Sequence, residues 1–390
     1  MRLDALTLYD FRNYAHLEAQ FVPGVNLILG ENAQGKTNLL EAVAYLSTGR
    51  SFRTARPQEL VRFGADFADL NAELFSAGRQ QTARAVIFAG RRPRQIYVGG
   101  VKQKTAAALD GLLTTVLFCP EELQVLKGGA AARRKLIDTA LCQLRPNYAR
   151  ALAEYTKLLD SKSRILKDWH EMPSLLEPLP EFSLRMAQVG AVIVSYRARY
   201  LKKLAEAAAE YHSEFSGGQE RLTLSYQTVS TIDDPFADQK TLFERIFEHQ
   251  KRHERAEIDA GQCLTGPHKD DFETFINDRP VKSYGSQGQT RTASISLKLA
   301  ERELMRRDTG EEPLLLLDDV LSELDARRQD FVLRRITGGQ VILTGCEAPD
   351  GSFLEGRTLH IMQGKLVNDP ETGKIPVFQD KKDSDSSEPS

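Results

Sequence analysis

Four cysteines, Cys119, Cys142, Cys263 and Cys346, are scattered through 390 residues without a C-x-x-C pair, which argues against a structural zinc site and a disulfide framework. No apolar run reaches the ~18 residues that a membrane helix needs. The amino end, Met1-Arg2-Leu3-Asp4, alternates in polarity instead of building a signal peptide. These absences point to a cytoplasmic chain with reduced thiols and no membrane partner. Net charge is scarce as well. The formal value is −2, and Asp380, Asp383, Asp385 and Glu388 against Lys381 and Lys382 in the tail account for it, leaving a neutral body. Neutrality does not exclude nucleic acid, because binding needs a local basic surface and not a basic total. No N-K-x-D guanine-reading motif occurs, and no heptad repeat is sustained, which disfavours a GTPase and a long coiled coil.

What is present begins with Gly30-Glu31-Asn32-Ala33-Gln34-Gly35-Lys36-Thr37, followed by Asn38. The pattern G-x-x-x-x-G-K-[ST] wraps backbone N–H groups around a phosphate when a buried strand precedes it and a helix follows. Both flanks are there: Val25 to Leu29 is a short apolar run, and Leu39, Leu40, Val43 and Leu46 recur at helical spacing. Lys36 then reaches the β- and γ-phosphates of a nucleotide, and the Thr37 hydroxyl ligates Mg²⁺.

The companion carboxylates follow the apolar strand Leu314-Leu315-Leu316-Leu317. Asp318 arrives where Mg²⁺ needs an oxygen ligand, and Asp319 where an attacking water needs orienting or deprotonating. With Ser322-Glu323-Leu324-Asp325 behind them, these residues are arranged as in the ATP-binding-cassette (ABC) class. That class also needs a signature segment opening a helix. Phe215-Ser216-Gly217-Gly218-Gln219-Glu220 matches its usual wording better, but runs into the alternating strand Leu222 to Tyr226. Tyr284-Gly285-Ser286-Gln287-Gly288-Gln289 matches more loosely, yet precedes the helical face Ala293, Leu297, Ala300, Leu304 and then the Asp318 strand. The second is therefore the expected signature, with Ser286, Gly288 and Gln289 in contact with nucleotide.

The separation of Gly30 from Ser286 is too long for a compact transporter ATPase and far too short for the coiled-coil arms of chromosome-maintenance ATPases. At this point the chain resembles the RecF family of bacterial recombination and gap-repair ATPases. The resemblance lies in Leu8-Tyr9-Asp10-Phe11-Arg12-Asn13-Tyr14, the loop GENAQGKTNLLEA, Gly49-Arg50-Ser51-Phe52-Arg53, Leu264-Thr265-Gly266-Pro267-His268-Lys269-Asp270-Asp271, the Ser286 segment and LLLLDDVLSELD, spread over residues 3 to 345 in the family's order. It implies a two-lobed ABC-type α/β head with an antiparallel β subdomain, an inserted helical lobe and no long coiled coil. It implies an ATP-dependent homodimer on double-stranded DNA beside gapped or single-stranded stretches, which cooperates with RecR and RecO in loading RecA. Carried over by position, Lys36 and Thr37 bind phosphate and Mg²⁺, Asp318 supports the metal, Asp319 is the hydrolytic acid, and Ser286 and Gly288 act across the dimer. Thr290 stands where the family often has a second Gln. The strand Val341 to Cys346 lacks the histidine of transporter relatives, leaving Thr344 as its stand-in for sensing the γ-phosphate. An SMC-like head acting as a nucleotide-gated scaffold or a defence-system component is the competing reading.

The expected layout is an ATPase lobe over 1–120, a mainly helical lobe over 121–257, the rest of the head over 258–375 and a disordered tail over 376–390. Several groups keep two readings. His268 touches ligand or is a satisfied structural histidine. Arg91-Arg92-Pro93-Arg94, Arg133-Arg134-Lys135 and Lys202-Lys203 bind phosphates or are solvated faces. Tyr9, Arg12 and Tyr14 contact adenine or pack.

Overall fold

A computed structural model of the chain describes residues 1–229, 232–336, 338–347 and 356–367. The expected tail over 376–390 lies outside the described residues. The chain divides into two units, 1–120 with 312–390 and 121–311.

The first unit opens with β1 (Arg2–Phe11), β2 (Tyr14–Gln20), β3 (Val25–Leu29), α1 (Lys36–Thr48), β4 (Phe67–Ser76), β5 (Arg79–Phe88), β6 (Gln95–Val98), β7 (Val101–Gln103) and β8 (Thr115–Phe118). After α2 (Pro120–Leu123), the second unit supplies α3 (Ala130–Leu144), α4 (Pro146–Asp168), α5 (Leu179–Ser216), β9 (Leu222–Gln227), α6 (Gln239–Ala260), β10 (Asp271–Ile276), β11 (Arg279–Pro280), α7 (Val281–Tyr284) and α8 (Gln287–Thr309). The chain then returns to the first unit with β12 (Leu314–Leu317), α9 (Ala326–Arg335), β13 (Val341–Gly345), β14 (Gly356–Met362) and β15 (Lys365–Val367).

Two sheets build the first unit. One is antiparallel, in the order β2-β1-β4-β5-β6-β7. The other runs β15-β14-β3-β13-β12-β8, parallel apart from the edge strand β15. Their sequences differ as their burial does. β4 alternates between buried and more exposed residues, as a strand with one covered face must. β12 is Leu-Leu-Leu-Leu, all four buried, as a parallel strand covered on both faces must be. Leu39, Leu40, Val43 and Leu46 of α1 join both sheets into one core with Leu6, Leu8 and Leu70 on one side and Ile28, Leu316 and Ile342 on the other. Each such aliphatic side chain contributes about 1.5–3 kcal/mol by leaving water.

The second unit is centred on α5, which packs against α4, α6 and α8 and, near its end, against β9. β9, β10 and β11 form a small antiparallel sheet. The block Leu264 to Asp271 is tied down inside this unit. Glu257 of α6 is buried, salt-bridged to the equally buried Lys162 of α4 at 2.6 Å, and its other oxygen accepts from the N–H groups of Leu264 and Thr265 and the Thr265 hydroxyl. Arg197 of α5 forks onto Asp138 and donates to the Pro267 carbonyl at 2.6 Å.

The return to the first unit differs from the expected boundary. The expectation places it at 258; it falls at 312. The cause is pairing: β10 hydrogen-bonds to β9, and α8 packs along α5, so residues 258–311, including Ser286, Gly288 and Gln289, belong with the helical unit.

Asp110, half-buried between β7 and β8, has a carboxyl pushed up to about 7 by burial, with Arg50 opposing. Between the ordinary carboxylate range and that value, the folded chain holds a proton that the unfolded chain releases, so stability falls as pH rises through this window. Asp110→Asn removes that loss. Its melting temperature relative to wild type is expected to rise from pH 5 to pH 8; a pH-independent difference in thermal melts contradicts the assignment.

Candidate functional site

The loop after β3 closes on itself. Gly35 has φ 118°, and a Cβ there would lie 2.6 Å from the Asn13 side chain and 2.9 Å from the Tyr14 hydroxyl. At Gly30 a Cβ would meet the Ile361 carbonyl at 2.4 Å. Both glycines are thus required by close approach. Gln34 is pinned from two directions: its carbonyl accepts from Asn13 Nδ2 at 2.8 Å and from the Gly364 N–H, and its side-chain oxygen accepts from the Gln363 N–H at 2.5 Å. Asn38 donates to Asn13 and accepts from Arg53. Ala33 has φ 64°, which completes the reversal of the loop.

Lys36, the first residue of α1, folds its ammonium back to the Gly30 and Glu31 carbonyls at 2.6 and 3.1 Å. Cys346 lies 3.6 Å from the same ammonium and 3.2 Å from Asn32 Oδ1. Thr37 Oγ1 donates to Asp318 Oδ1 at 2.9 Å. Thr344, on the strand between them, donates to the same oxygen at 3.0 Å and accepts from the Asp319 N–H at 2.9 Å. Asp319 has φ 52°, an uncommon backbone for an acid, and its carbonyl accepts from Ser322 at 2.6 Å. It borders a cleft of about 440 Å³ shared with Asn32, Ser322, Thr344, Cys346 and Glu347.

The donor set fits a phosphate and a magnesium ion. Backbone N–H groups at the start of a 13-residue helix and the Lys36 ammonium are donors suited to phosphate oxygens, and the Thr37 hydroxyl beside the buried Asp318 carboxylate offers oxygen ligands of the kind Mg²⁺ takes. Burial pushes the Asp318 carboxyl above its ordinary range; hydrogen bonds from Thr37 and Thr344 oppose this, and neighbouring Asp319 adds to it. A cation beside it would favour the charged form.

Glu41 escapes sequence reasoning. It is fully buried on α1, and its carboxylate is forked by Arg12 at 2.9 and 2.8 Å, receives the Ser51 hydroxyl at 2.5 Å and lies 3.5 Å from Arg53. The three N-terminal blocks thus converge on one carboxylate. An acid among the apolar residues of Leu39-Leu40-Glu41-Ala42-Val43 is the available signal. Tyr14 is buried with its hydroxyl on the Gly35 carbonyl, Arg12 is engaged by Glu41, and Tyr9 stacks on His16.

In the second unit, Ser286 caps α8. Its hydroxyl oxygen accepts from the Gln289 N–H at 3.1 Å while Gln289 Oε1 accepts from the Ser286 N–H at 3.0 Å, a reciprocal capping box. Gly288 lies in the first turn. Gly217 and Gly218, with φ 64° and 77°, instead close α5 ahead of β9. His268 is a structural histidine: Tyr155 OH lies 2.8 Å from Nδ1, the Cys263 carbonyl 3.4 Å from Nε2, and burial pushes its pKa down to about 4. The basic clusters are partly consumed. Arg133 forks onto Asp271, Arg134 donates to the Asp270 carbonyl, and Arg94 binds Tyr45 and the Gly49 carbonyl. Arg92 lies over Phe88 and Lys202 near Phe236.

The parallel sheet, the phosphate loop and the carboxylate pair after β12 define an ABC-type P-loop head, and residues 2–346 match the family model "RecF/RecN/SMC N terminal domain". An Smc head domain from Pyrococcus furiosus shares the fold, at 16% identity and a TM-score of 0.52, over 94% of this chain and 95% of that one. The chain belongs to the RecF family. It is 37% identical to the DNA replication and repair protein RecF of Bacillus subtilis over 94% of this chain and all of that protein, and 36% identical to that of Halalkalibacterium halodurans over 94% and 99%. A solved structure of the recombination mediator protein RecF-ATP in the RecFOR pathway matches at 33% identity and a TM-score of 0.86, over 94% of this chain and 96% of that one. Among the described residues no helix is long and apolar enough to cross a membrane.

Glu41→Ala leaves Arg12 with only the Glu59 carbonyl and takes the shared carboxylate from Ser51 and Arg53. Breaking a buried pair on one side typically costs about 3–5 kcal/mol, and the partial exposure of Arg12 places this one near the lower end. Denaturant unfolding and amide exchange across residues 12–14 and 51–53 check it; unchanged stability with unchanged exchange contradicts the hub.

Proposed function

We propose that this chain is a cytoplasmic ATP-dependent DNA-binding protein of recombinational repair and replication restart. In this reading it dimerises on ATP at gapped or single-/double-strand junction DNA, promotes RecA loading together with RecR and RecO, and resets by slow, DNA-stimulated hydrolysis of ATP to ADP and phosphate. The observation that carries the nucleotide part is Thr37 hydrogen-bonded to Asp318 across three parallel strands, with the Lys36 ammonium on the loop beside them. The names and the ATP-bound form of the relatives support the rest.

The residues divide the work. Gly30, Glu31, Asn32, Ala33, Gln34 and Gly35 present the backbone to the β-phosphate, and Asn38 braces the loop through Asn13 and Arg53. Lys36 exchanges two carbonyl partners for the β- and γ-phosphate oxygens. Thr37 and Asp318 hold Mg²⁺, which supplies charge neutralisation on those oxygens. Asp319 orients the attacking water and takes its proton. The Thr344 hydroxyl and Ser322 fix the Asp319 backbone, so the carboxylate stays at the cleft. Ser286, Gly288 and Gln289 complete the site of a second copy. The Ser286 oxygen already accepts from the Gln289 N–H, so its own O–H is left to donate to a γ-phosphate.

Asp319→Asn keeps the size of the side chain but loses its basicity, and a general base contributes about 10²–10⁴-fold to rate. ATP binding is expected to persist, phosphate release to drop by that order and dimers to linger on gapped DNA. Asp318→Asn weakens Mg²⁺-supported nucleotide binding itself. A wild-type hydrolysis rate in Asp319→Asn removes the residue from the mechanism, and DNA binding indifferent to ATP supports the passive scaffold instead.

Ser286→Arg puts a bulky cation where a small donor meets the partner. Monomer binding of a fluorescent nucleotide is expected to survive and ATP-driven dimerisation in sedimentation to be lost. Normal dimerisation of the variant would mean that the junction lies elsewhere.

A further inference from the structure

The segment Phe215-Ser216-Gly217-Gly218-Gln219-Glu220 resembles a nucleotide signature in wording only, and the structure gives it a different position and chemistry. Its two glycines are left-handed, so α5 ends and the chain reverses within a few residues. The Gly218 N–H returns to the Ser213 carbonyl at 2.8 Å, and the Ser216 hydroxyl accepts the Glu220 N–H at 3.2 Å. Glu220 is thereby fixed at its backbone. One carboxylate oxygen accepts from Gln289 Nε2 at 2.8 Å, and the other lies 2.9 Å from Nε2 of the buried His212. Among the described residues His212 Nδ1 meets no hydrogen-bond partner, so the tautomer that satisfies this geometry carries its proton on Nε2 and donates to Glu220.

Gln289 is in turn the residue whose side-chain oxygen holds the Ser286 N–H and whose own N–H holds the Ser286 hydroxyl. An unbraced Gln side chain in an exposed first turn has several rotamers, and only one closes the capping box. With its amide N–H₂ held by a charged, backbone-fixed carboxylate, the closing rotamer is the one selected, because hydrogen bonds to an ionised acceptor are roughly twice as strong as neutral ones. The same turn is fastened to the β10–β11 hairpin that leads into the Ser286 segment, through Arg221 N–H to Asn277 and Asn277 N–H to the Arg221 carbonyl at 2.8 and 3.0 Å.

We propose that Glu220, oriented by His212 and the Ser216-Gly217-Gly218 turn, is a positioning residue for the Ser286–Gln289 contact with the nucleotide of a second copy. It reaches that nucleotide only through Gln289. The inference rests on the proposed role of Ser286 as a dimer-junction residue, and it adds that a segment remote in sequence sets how well that residue is presented.

The test is sedimentation of the full chain with ATP and Mg²⁺, alongside fluorescent-nucleotide titration and thermal melting, for Glu220→Ala, Glu220→Gln, Gln289→Ala, the Glu220→Ala/Gln289→Ala double variant and Ser286→Arg. Glu220→Ala is expected to weaken ATP-driven dimerisation about tenfold while monomer nucleotide affinity stays at the wild-type value. Glu220→Gln, which keeps a carbonyl acceptor for Gln289, should recover most of it. The double variant should be no worse than the poorer single one, since both remove one connected interaction. Wild-type dimerisation in Glu220→Ala, or strictly additive losses in the double variant, overturns the proposal. If Ser286→Arg also dimerises normally, the dimer-junction reading fails with it; if only Glu220→Ala does, that reading stands and the positioning role falls alone. A Glu220→Ala protein that melts far below wild type shifts the decision to Glu220→Gln against Gln289→Ala: equal losses in the two overturn the proposal, and a clearly smaller loss in Glu220→Gln supports it.

Discussion

The hydroxyl of Thr344 is the tie on which the first unit's chemistry depends. It stands on β13, between the strand that delivers the phosphate loop and the strand that delivers the two aspartates, and it touches both aspartates at once. Since side chains alternate along a strand, a one-residue slip of β13 would replace this hydroxyl with a side chain facing the other way. The buried register of the parallel sheet is therefore also the alignment of the candidate site. Leucine and isoleucine packing against α1 holds that register, so the apolar core and the polar site are one construction.

A second construction principle is the buried carboxylate with several donors. Glu41 gathers Arg12, Ser51 and Arg53 around α1, and Glu257 gathers Lys162, Leu264 and Thr265 in the other unit. In both, a short polar block becomes rigid because its donors share one acid whose removal would leave them unsatisfied. The Leu264 to Asp271 block thus reads as structure. Its histidine is spent on Tyr155 and the Cys263 carbonyl, and its glycine, Gly266 with φ 121°, lies against the Tyr155 hydroxyl.

The phosphate loop, the aspartate pair and the helix-opening serine are legible in the sequence, because each is a local pattern whose physics lies within a few residues: a strand, a glycine turn, a helix start. The preference for Ser286 over the segment at Ser216 rests on the element immediately downstream, a helical face in one case and an alternating strand in the other, and the structure has a capping box at the first and a helix end at the second. Glu41 and Glu220 are not legible. An acid within a helix or after a turn has no local mark of what it binds, and their partners lie on other elements. The boundary at 258 fails for the same reason. β10 and α8 carry head-like motifs, but which strand β10 pairs with and which helix α8 lies on are non-local facts. Thr344, the expected stand-in for a missing histidine, bridges the two aspartates, while Cys346 is the side chain beside the lysine.

The whole of the second unit enters the chain between β8 and β12, which are hydrogen-bonded neighbours in the parallel sheet, Thr115 opposite Leu314 through Phe118 opposite Leu317. Closing so long a connection costs little at equilibrium, because each doubling of loop length adds only about 0.6 kcal/mol. During synthesis it sets an order. At roughly 5–20 residues per second, the strand bearing Asp318 leaves the ribosome roughly 15–60 s after Thr37, with the entire insertion emerging in between. Through that interval the nascent phosphate loop has its lysine and threonine but no carboxylate, and the β8 edge has no neighbour. A half-made chain therefore holds a Thr37 hydroxyl without its Asp318 partner and an exposed strand edge, the state in which pairing with a second nascent chain competes with folding.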